Sequence, residues 1–252
     1  IIWSIGESVN KLPRTRIPHI MKTTALNAET DSHHHPILLS FVTPDTSEKD
    51  IGKDYVFPAD FHGDPNVHVV TWLHVLPHGD DYEQQHAAYL KWSRVGAGRF
   101  IMMKNETERF PRTQPQSRIY MWSSAMTGQH TMESGHDVLR RGGLLDADGH
   151  IARFMEQTDF HAMEPSDTRA AQSTKWVLAS PSHSCIAYTY AYEGAMGIKG
   201  LPAGNYLLAW FDTVTGRTVT HDNVSFAGGD AAWEKPPGFG GELALYVKPR
   251  GR

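Results

Sequence analysis

Cysteine is almost missing from this chain. Cys185 stands alone among 252 residues, so no internal disulfide can form and cysteine usage carries no mark of the redox compartment. Long apolar runs are missing as well: none approaches the ~18 residues that a membrane-spanning helix needs. There is no basic excess. Lys and Arg number 24 against 28 Asp and Glu, a net charge of −4, so the chain lacks the positive face that nucleic-acid backbones require. Glycine-rich phosphate loops of the dinucleotide or P-loop type are absent, as are H-E-x-x-H and any cysteine cluster. His33-His34-His35 are consecutive, a spacing that puts three side chains on one face of no regular element. Neither a metal nor a cofactor is expected. The first ten residues lack the basic segment and cleavage site of a secretory signal. There is no internal repeat and, beyond the three histidines, no low-complexity stretch.

The composition that remains is globular, with 40% hydrophobic and 21% charged residues. Seven Trp, nine Tyr and 15 His suit stacking and polar contacts to a bulky polar ligand.

The chain opens on a short apolar run, Ile1-Ile2-Trp3-Ser4-Ile5-Gly6, that stops at Glu7, as a buried strand delivering a carboxylate would. Ile17, Ile20, Met21, Thr24 and Leu26 have helical spacing, which predicts a helix within Arg14 to Glu29, broken by Asp31 to Pro36. Ile37 to Val42 is apolar throughout, the pattern of a parallel strand buried on both faces. A polar loop over 44–66 leads to a β-branched and aromatic strand over 67–75. A helix starts at Gly79 to Asp81, with Asp80 or Asp81 as cap, and stops at Gly96 and Gly98. Residues 100–105 form the next strand. The apolar segment over 118–126 is ambiguous by periodicity, and Asp148 to Phe160 is helical.

Alternating apolar strands and helices indicate a parallel α/β architecture. Polar residues cluster where the strands end: Glu7, Ser40, Thr43, His74, Asn105 and Glu106. A (β/α)₈ barrel places its catalytic groups there, and a doubly wound sheet its ligand. Past a polar connector near 162–174 the pattern is all β: Trp176 to Ser180, Ser184 to Tyr192, Tyr206 to Phe211 and Leu243 to Val247 are separated by Gly, Pro and Asp turns. This spacing predicts a small antiparallel sandwich. Tyr188, Tyr190 and Tyr192 read as one face of a sheet, and Cys185 as a small apolar packing residue.

Two stretches carry a resemblance. Gly204-Asn205-Tyr206-Leu207-Leu208-Ala209-Trp210-Phe211-Asp212-Thr213-Val214-Thr215-Gly216 resembles the G-x-Y-x-x-x-W-F-D-x-x-T-G signature of a β-sandwich, of a type labelled collagen-binding, that is appended to a group of bacterial (β/α)₈ glycoside hydrolases. Trp3-Ser4-Ile5-Gly6-Glu7 resembles the W-x-L-G-E-E-N strand of the same enzymes, and His35-Pro36-Ile37 the start of their next strand. The resemblance implies a retaining glycosidase with an acid/base glutamate ending strand 4 and a nucleophile ending strand 7. If residues 1–6 are strand 4, then 36–42, 67–75, 100–105 and 118–126 count as strands 5 to 8. Glu7 then takes the acid/base position and Glu106 the nucleophile position. Strands 1 to 3 do not occur in this stretch, which reads as the second half of a barrel followed by the sandwich. The expected domains are 1–163 (barrel portion), 164–174 (connector) and 175–252 (sandwich). Ser8 stands where the family has a second glutamate, and its asparagine is displaced to Asn10. Both Glu106 and Glu108 follow strand 7, so the nucleophile is one of the two.

Glycoside hydrolysis needs two facing carboxylates, one protonated and one ionised. Trp3, Trp72 and Trp122 would supply aromatic walls for sugar rings. Asn10, Ser40, His74, Asn105 and Glu108 would bind hydroxyls. The function implied is double-displacement hydrolysis of a polysaccharide or oligosaccharide, by a secreted or cell-surface enzyme. The alternative is a non-catalytic carbohydrate-binding or cell-surface interaction protein, in which the sandwich does the binding.

Overall fold

The computed structural model describes residues 2–6, 9–42, 56–73, 81–96, 98–105, 113–131 and 144–250. The chain divides into two compact units, Ile1–Arg112 with Gln129–Val138, and Thr113–Gly128 with Leu139–Arg252. Among the described residues no helix is long and apolar enough to cross a membrane.

The first unit is built on a parallel five-stranded sheet whose strands follow chain order: β1 (Trp3–Ser4), β2 (Ile37–Val42), β3 (Val69–Leu73), β4 (Ile101–Asn105) and β5 (His130–Thr131). Helix α1 (Ile17–Thr30) connects β1 to β2, and α2 (Tyr82–Gly96) lies between β3 and β4. Pro18 sits in the first turn of α1, where its missing N–H costs nothing. Asp81 caps α2 by accepting a hydrogen bond from the Gln84 amide at 2.9 Å, and Gly98, at φ +77°, reverses the chain after it. Alternate strand residues Leu39, Phe41, Val70 and Met102 join Ile20 of α1 and Phe61 in one apolar cluster, which fixes that face of the sheet as the helix-covered one. Thr24 in α1 donates to the buried Asp64 carboxylate at 2.8 Å, which ties the helix to the loop before β3.

In place of the strand expected over 118–126 the chain forms helix α3 (Gln114–Ala125), and the fifth parallel strand is instead His130–Thr131. The helix has a physical cause. Thr113 and Gln116 form a capping box, with the Thr113 amide donating to Gln116 Oε1 at 2.8 Å, and Pro115 occupies the first turn. Its residues Ser117 to Ala125 are all buried, and a helix buried on every side shows no amphipathic period.

Helix α3 packs in the second unit, together with α4 (Leu144–Glu156) and two antiparallel sheets. Connector residues contribute β6 (Glu164–Pro165) and β7 (Ala170–Gln172) to those sheets. Strands β8 (Trp176–Ala179), β9 (Cys185–Thr189), β10 (Met196–Leu201), β11 (Gly204–Asp212), β12 (Thr218–Phe226), β13 (Gly229–Trp233) and β14 (Leu243–Pro249) follow. The six-stranded sheet has the order β12-β11-β14-β9-β8-β6, and the three-stranded sheet β13-β10-β7.

An aromatic stack runs through this unit. Trp122 of α3 lies parallel to Tyr188 at 4.8 Å, and Tyr188 lies parallel to Trp176 at 5.4 Å. Phe211 stacks on Phe154 of α4 at 4.7 Å. Beside the stack, Arg118 of α3 grips Glu242 with Nε at 2.9 Å and Nη2 at 2.7 Å, and the Tyr188 hydroxyl donates to the same carboxylate at 3.2 Å. Burial, then the Glu242 charge, push the Tyr188 phenol well above its ordinary pKa, so it remains a donor. Replacing Glu242 with Ala strands the Arg118 guanidinium. The expected loss is about 2–3 kcal/mol of unfolding free energy, below the 3–5 of a fully buried pair. Arg118→Met with Glu242→Leu should recover most of it in urea titration, and an unrecovered double variant would show that the pair does more than satisfy itself.

Residues of the Gly204–Gly216 stretch have visible structural tasks. Tyr206 donates to the Pro202 carbonyl at 2.7 Å, and Trp210 lies in the sandwich core. Asp212 Oδ1 accepts the Val214 and Thr215 amides at 3.1 and 2.9 Å, and its Oδ2 accepts the Gly240 amide at 3.0 Å. Gly216, at φ +71°, lies so close to the His150 ring that a Cβ there would meet it at 2.6 Å.

Candidate active site

The C-terminal ends of β1 to β5 form one edge of the parallel sheet. Successive residues of a strand point to opposite faces, so the face opposite the helix-covered cluster carries the row Ser40–Thr71–Met103–His130, read from the strand register. Toward the strand ends the backbone register aligns Val42, Leu73 and Asn105. Ser40 and Thr71 are neighbours in register and both buried. Among the described residues the Thr71 Oγ1 has no hydrogen-bond partner, although the side chain is 1% exposed. A buried hydroxyl without a partner costs about 1–3 kcal/mol. Desolvation lowers the pKa of His130, which nevertheless keeps a solvent-exposed edge.

The expected site residues divide into three groups. Glu7, His74, Glu106 and Glu108 lie outside the described residues, as does Thr43. In sequence, Glu7 follows Gly6 and Glu106 follows Asn105, the last residue of β4. Ser40, Trp72 and Asn105 are placed in the sheet, Trp72 in register with Phe41 and Lys104, while Asn10 sits in the short 3-10 turn Val9–Lys11.

Trp3 and Trp122 are corrected. Trp3 pairs with Ile37, the first residue of β2, at the opposite end of the sheet from the strand C-termini. There its indole N–H donates to Asp31 at 2.9 Å, its ring meets His35 edge-on at 6.3 Å, and the residue is 44% exposed. Burial opposes ionisation of Asp31, but the amides of His35 and His33 and the Trp3 indole outweigh it and hold the carboxyl far below its usual range. Trp3 therefore anchors the turn before β2. Trp122 is 1% exposed, and its faces are spent on Tyr188, Phe154 and Phe211. It is a core residue of the second unit and offers no wall to a sugar.

Sequence reasoning passed over Thr71 and His130. Both sit in or next to short apolar strands, and only the register shows which face they share.

No family model matches the chain, and no curated protein sequence matches it. Solved structures do. A glycoside hydrolase aligns over 99% of this chain and 64% of its own length, with a TM-score of 0.69 and 12% identity. A glycoside hydrolase family 5 protein from Bacteroides vulgatus aligns over 99% of this chain and 62% of its own, with a TM-score of 0.70 and 12% identity. The chain shares its fold with these glycoside hydrolases. It spans less than two thirds of the length of either, so the likeness is to a large part of each and concerns architecture.

A second polar cluster lies in the sandwich unit. Asp159, in the turn after α4, accepts hydrogen bonds from Ser184 Oγ at 2.9 Å, the Tyr246 hydroxyl at 3.0 Å and Lys248 Nζ at 3.1 Å. Desolvation opposes the ionised form, but these donors and the Lys248 charge outweigh it and lower the Asp159 pKa below its ordinary 3.8. A folded-state value below the unfolded one gives stability that is complete above the unfolded value and is lost as pH falls through the folded one. Asp159→Asn is expected to destabilise the protein at pH 7, with a gap to wild type that closes below about pH 4. Thermal melts across pH 2–7 check this, and a gap independent of pH would remove the carboxylate charge from the account. Ser180, Ser182 and Ser184 form a hydroxyl chain at 2.7 and 3.4 Å that ends on Asp159, which gives the serine run a structural task.

Proposed function

We propose that the chain is part of a retaining glycosidase, with Glu7 as general acid/base and Glu106 as nucleophile. The observation that carries the reading is the unbroken parallel order β1 to β5, in a chain whose fold matches two glycoside hydrolases over 99% of its length. In this reading β1 to β5 are the fourth to eighth strands of a (β/α)₈ barrel. Residues 1–163 are the barrel portion, its last two helices packed in the second compact unit. Residues 164–174, expected as a connector, also supply β6 and β7 to the sheets of the sandwich that continues through 175–252. Its substrate is a polysaccharide or oligosaccharide.

Geometry sets a condition on the pair. Glu7 and Glu106 follow strands three positions apart, about 14 Å across a flat sheet at 4.7–4.9 Å per step. Retaining chemistry needs the carboxyls ~5–5.5 Å apart. In a closed eight-stranded barrel, strands three apart lie on nearly opposite walls, so closure would bring carboxyls that follow them toward each other across the mouth. The nucleophile attacks the anomeric carbon while Glu7 protonates the departing oxygen; Glu7 then takes a proton from the water that releases the sugar. Asn105 and Glu108 stand at or beyond the end of β4 to bind hydroxyls, and Ser40, within β2, shares its row of the register with Thr71 and His130.

The test is release of reducing sugars by the full-length protein from xylan, mannan, β-glucan and pectin. Wild type should release sugar from at least one, and Glu106→Gln should not. If Glu108→Gln is the inactive variant, the nucleophile moves two residues. If neither substitution affects release, or no glycan is cleaved, the reading fails.

A further inference from the structure

Helix α3 lacks the cue that ordinarily fixes how a helix is turned about its axis. Ser117 to Ala125 are buried all round, so no apolar stripe selects one rotation. Arg118 is the only charged residue in its sequence, and its carboxylate partner, Glu242, belongs to the sandwich. We propose that this pair is a register lock: through it the sandwich sets the rotation of α3 and so keeps His130 of β5 on the face shared with Ser40, Thr71 and Met103. Arg118, Glu242 and Tyr188 are then positioning residues for the proposed site. The lock belongs to the fold; that it serves turnover rests on the glycosidase reading.

The pair is an unusual choice for stability alone. Arg118 is 9% exposed and Glu242 7%. Burying an ion pair costs desolvation that its attraction barely offsets, and apolar residues of similar size commonly serve as well. What the pair has, and apolar contacts lack, is direction. Arg118 Nε reaches both carboxylate oxygens at 2.9 Å and Nη2 reaches one of them at 2.7 Å. The Tyr188 hydroxyl donates to the same carboxylate at 3.2 Å. Glu242 is itself fixed: its carbonyl accepts the Thr213 hydroxyl at 3.1 Å, and the Gly241 carbonyl accepts the Tyr192 amide at 3.0 Å. Turning α3 by one residue, about 100°, would break the fork.

The rotation is passed to β5 over a short, bonded turn. The amides of Met126, Thr127 and Gly128 donate to the carbonyls of Trp122, Ser124 and Ala125, each at 2.9 Å, and Gly128 reverses the chain at φ +79°. Gln129 follows, its side-chain amide on the Tyr89 carbonyl at 3.1 Å. Strand β5 is only His130–Thr131, paired at Met103–His130 and Lys104–Thr131. Both residues are polar, so no buried apolar face specifies the register, and a slip of one residue would turn His130 to the other face of the sheet. The docked helix before the strand supplies the specification that the strand lacks.

The test is proton NMR titration of His130 in the 252-residue chain, its C2 proton identified by its loss in His130→Gln. In wild type it should titrate below the ordinary 6.5, because burial disfavours the charged ring. Arg118→Met with Glu242→Leu should melt close to wild type, yet move the His130 titration toward 6.5. Arg118→Lys keeps the charge and loses the fork; it should move the titration the same way, and it decides the matter if the double variant does not fold. Asp159→Asn, which weakens the same unit away from α3, should leave the titration unmoved. In the full-length protein Arg118→Met with Glu242→Leu should lose about three- to tenfold in kcat/KM, as much as His130→Gln, and adding His130→Gln should cost nothing further. An unmoved His130 titration in the folded variant, or losses that add, would overturn the proposal. If the titration moves but wild type cleaves no glycan, the lock stands and the glycosidase reading falls.

Discussion

Glu7→Gln in the full-length protein should lower turnover of a natural glycan by about 10²–10⁴-fold, the range that a positioned proton donor supplies. Glutamine keeps the shape and hydrogen bonds of the acid but cannot release a proton to the departing oxygen. The loss should depend on the leaving group. A natural sugar leaves as an alkoxide that needs the proton, whereas a dinitrophenolate leaves unaided. Formation of the glycosyl-enzyme from a dinitrophenyl glycoside should therefore be nearly unaffected, and the next step, which needs Glu7 as base, should become limiting. An initial burst followed by slow release is the kinetic fingerprint. The basic limb of the pH–rate profile, which reports ionisation of the acid, should vanish with it. Equal loss on both substrates, with no burst, would take Glu7 out of proton transfer.

Trp122→Ala is expected to cost the second unit about 3–5 kcal/mol, the range for truncating a fully buried large aromatic, with part of the total from lost ring stacking. Trp122 fills the space between Tyr188, Phe154 and Phe211, at centroid distances of 4.8, 5.6 and 6.2 Å. Cutting it back to a methyl leaves a cavity that helix α3 cannot close, because Arg118 on the same helix is pinned to Glu242. Trp122→Phe keeps most of the volume and should cost less than half as much. Chemical denaturation of the three proteins measures both values. A loss under about 1 kcal/mol for Trp122→Ala would mean that α3 is not docked by this ring.

How much of this was legible in the sequence depended on whether the signal was local. The strands over 37–42, 69–73 and 101–105 announce themselves as apolar runs, and the Asp81 cap and Gly98 reversal mark the ends of α2. Helix α3 was misread because burial on every side erases its period; its capping box, Thr113-x-x-Gln116 with Pro115, was the available signal. Strand β12 is exposed along most of its length and so shows no alternation, and β5 is only two residues long. The Arg118–Glu242 pair joins residues 124 apart, beyond any local pattern. At the candidate site, strand order could be counted from sequence, but the shared face of Ser40, Thr71 and His130 emerges only from the register. Trp3 looked available to a sugar because it lies close to Glu7 in sequence; its register with Ile37, at the start of β2, puts it at the other end of the sheet.

The central claim is double displacement at a pair of facing glutamates, and the anomeric configuration of the first-formed product tests it most directly. Proton NMR of the full-length protein acting on its glycan, recorded before mutarotation, should show the anomer of the substrate retained. An inverted product would place the two carboxyls ~6.5–9.5 Å apart with a water between them, and would contradict the nucleophile assigned to Glu106.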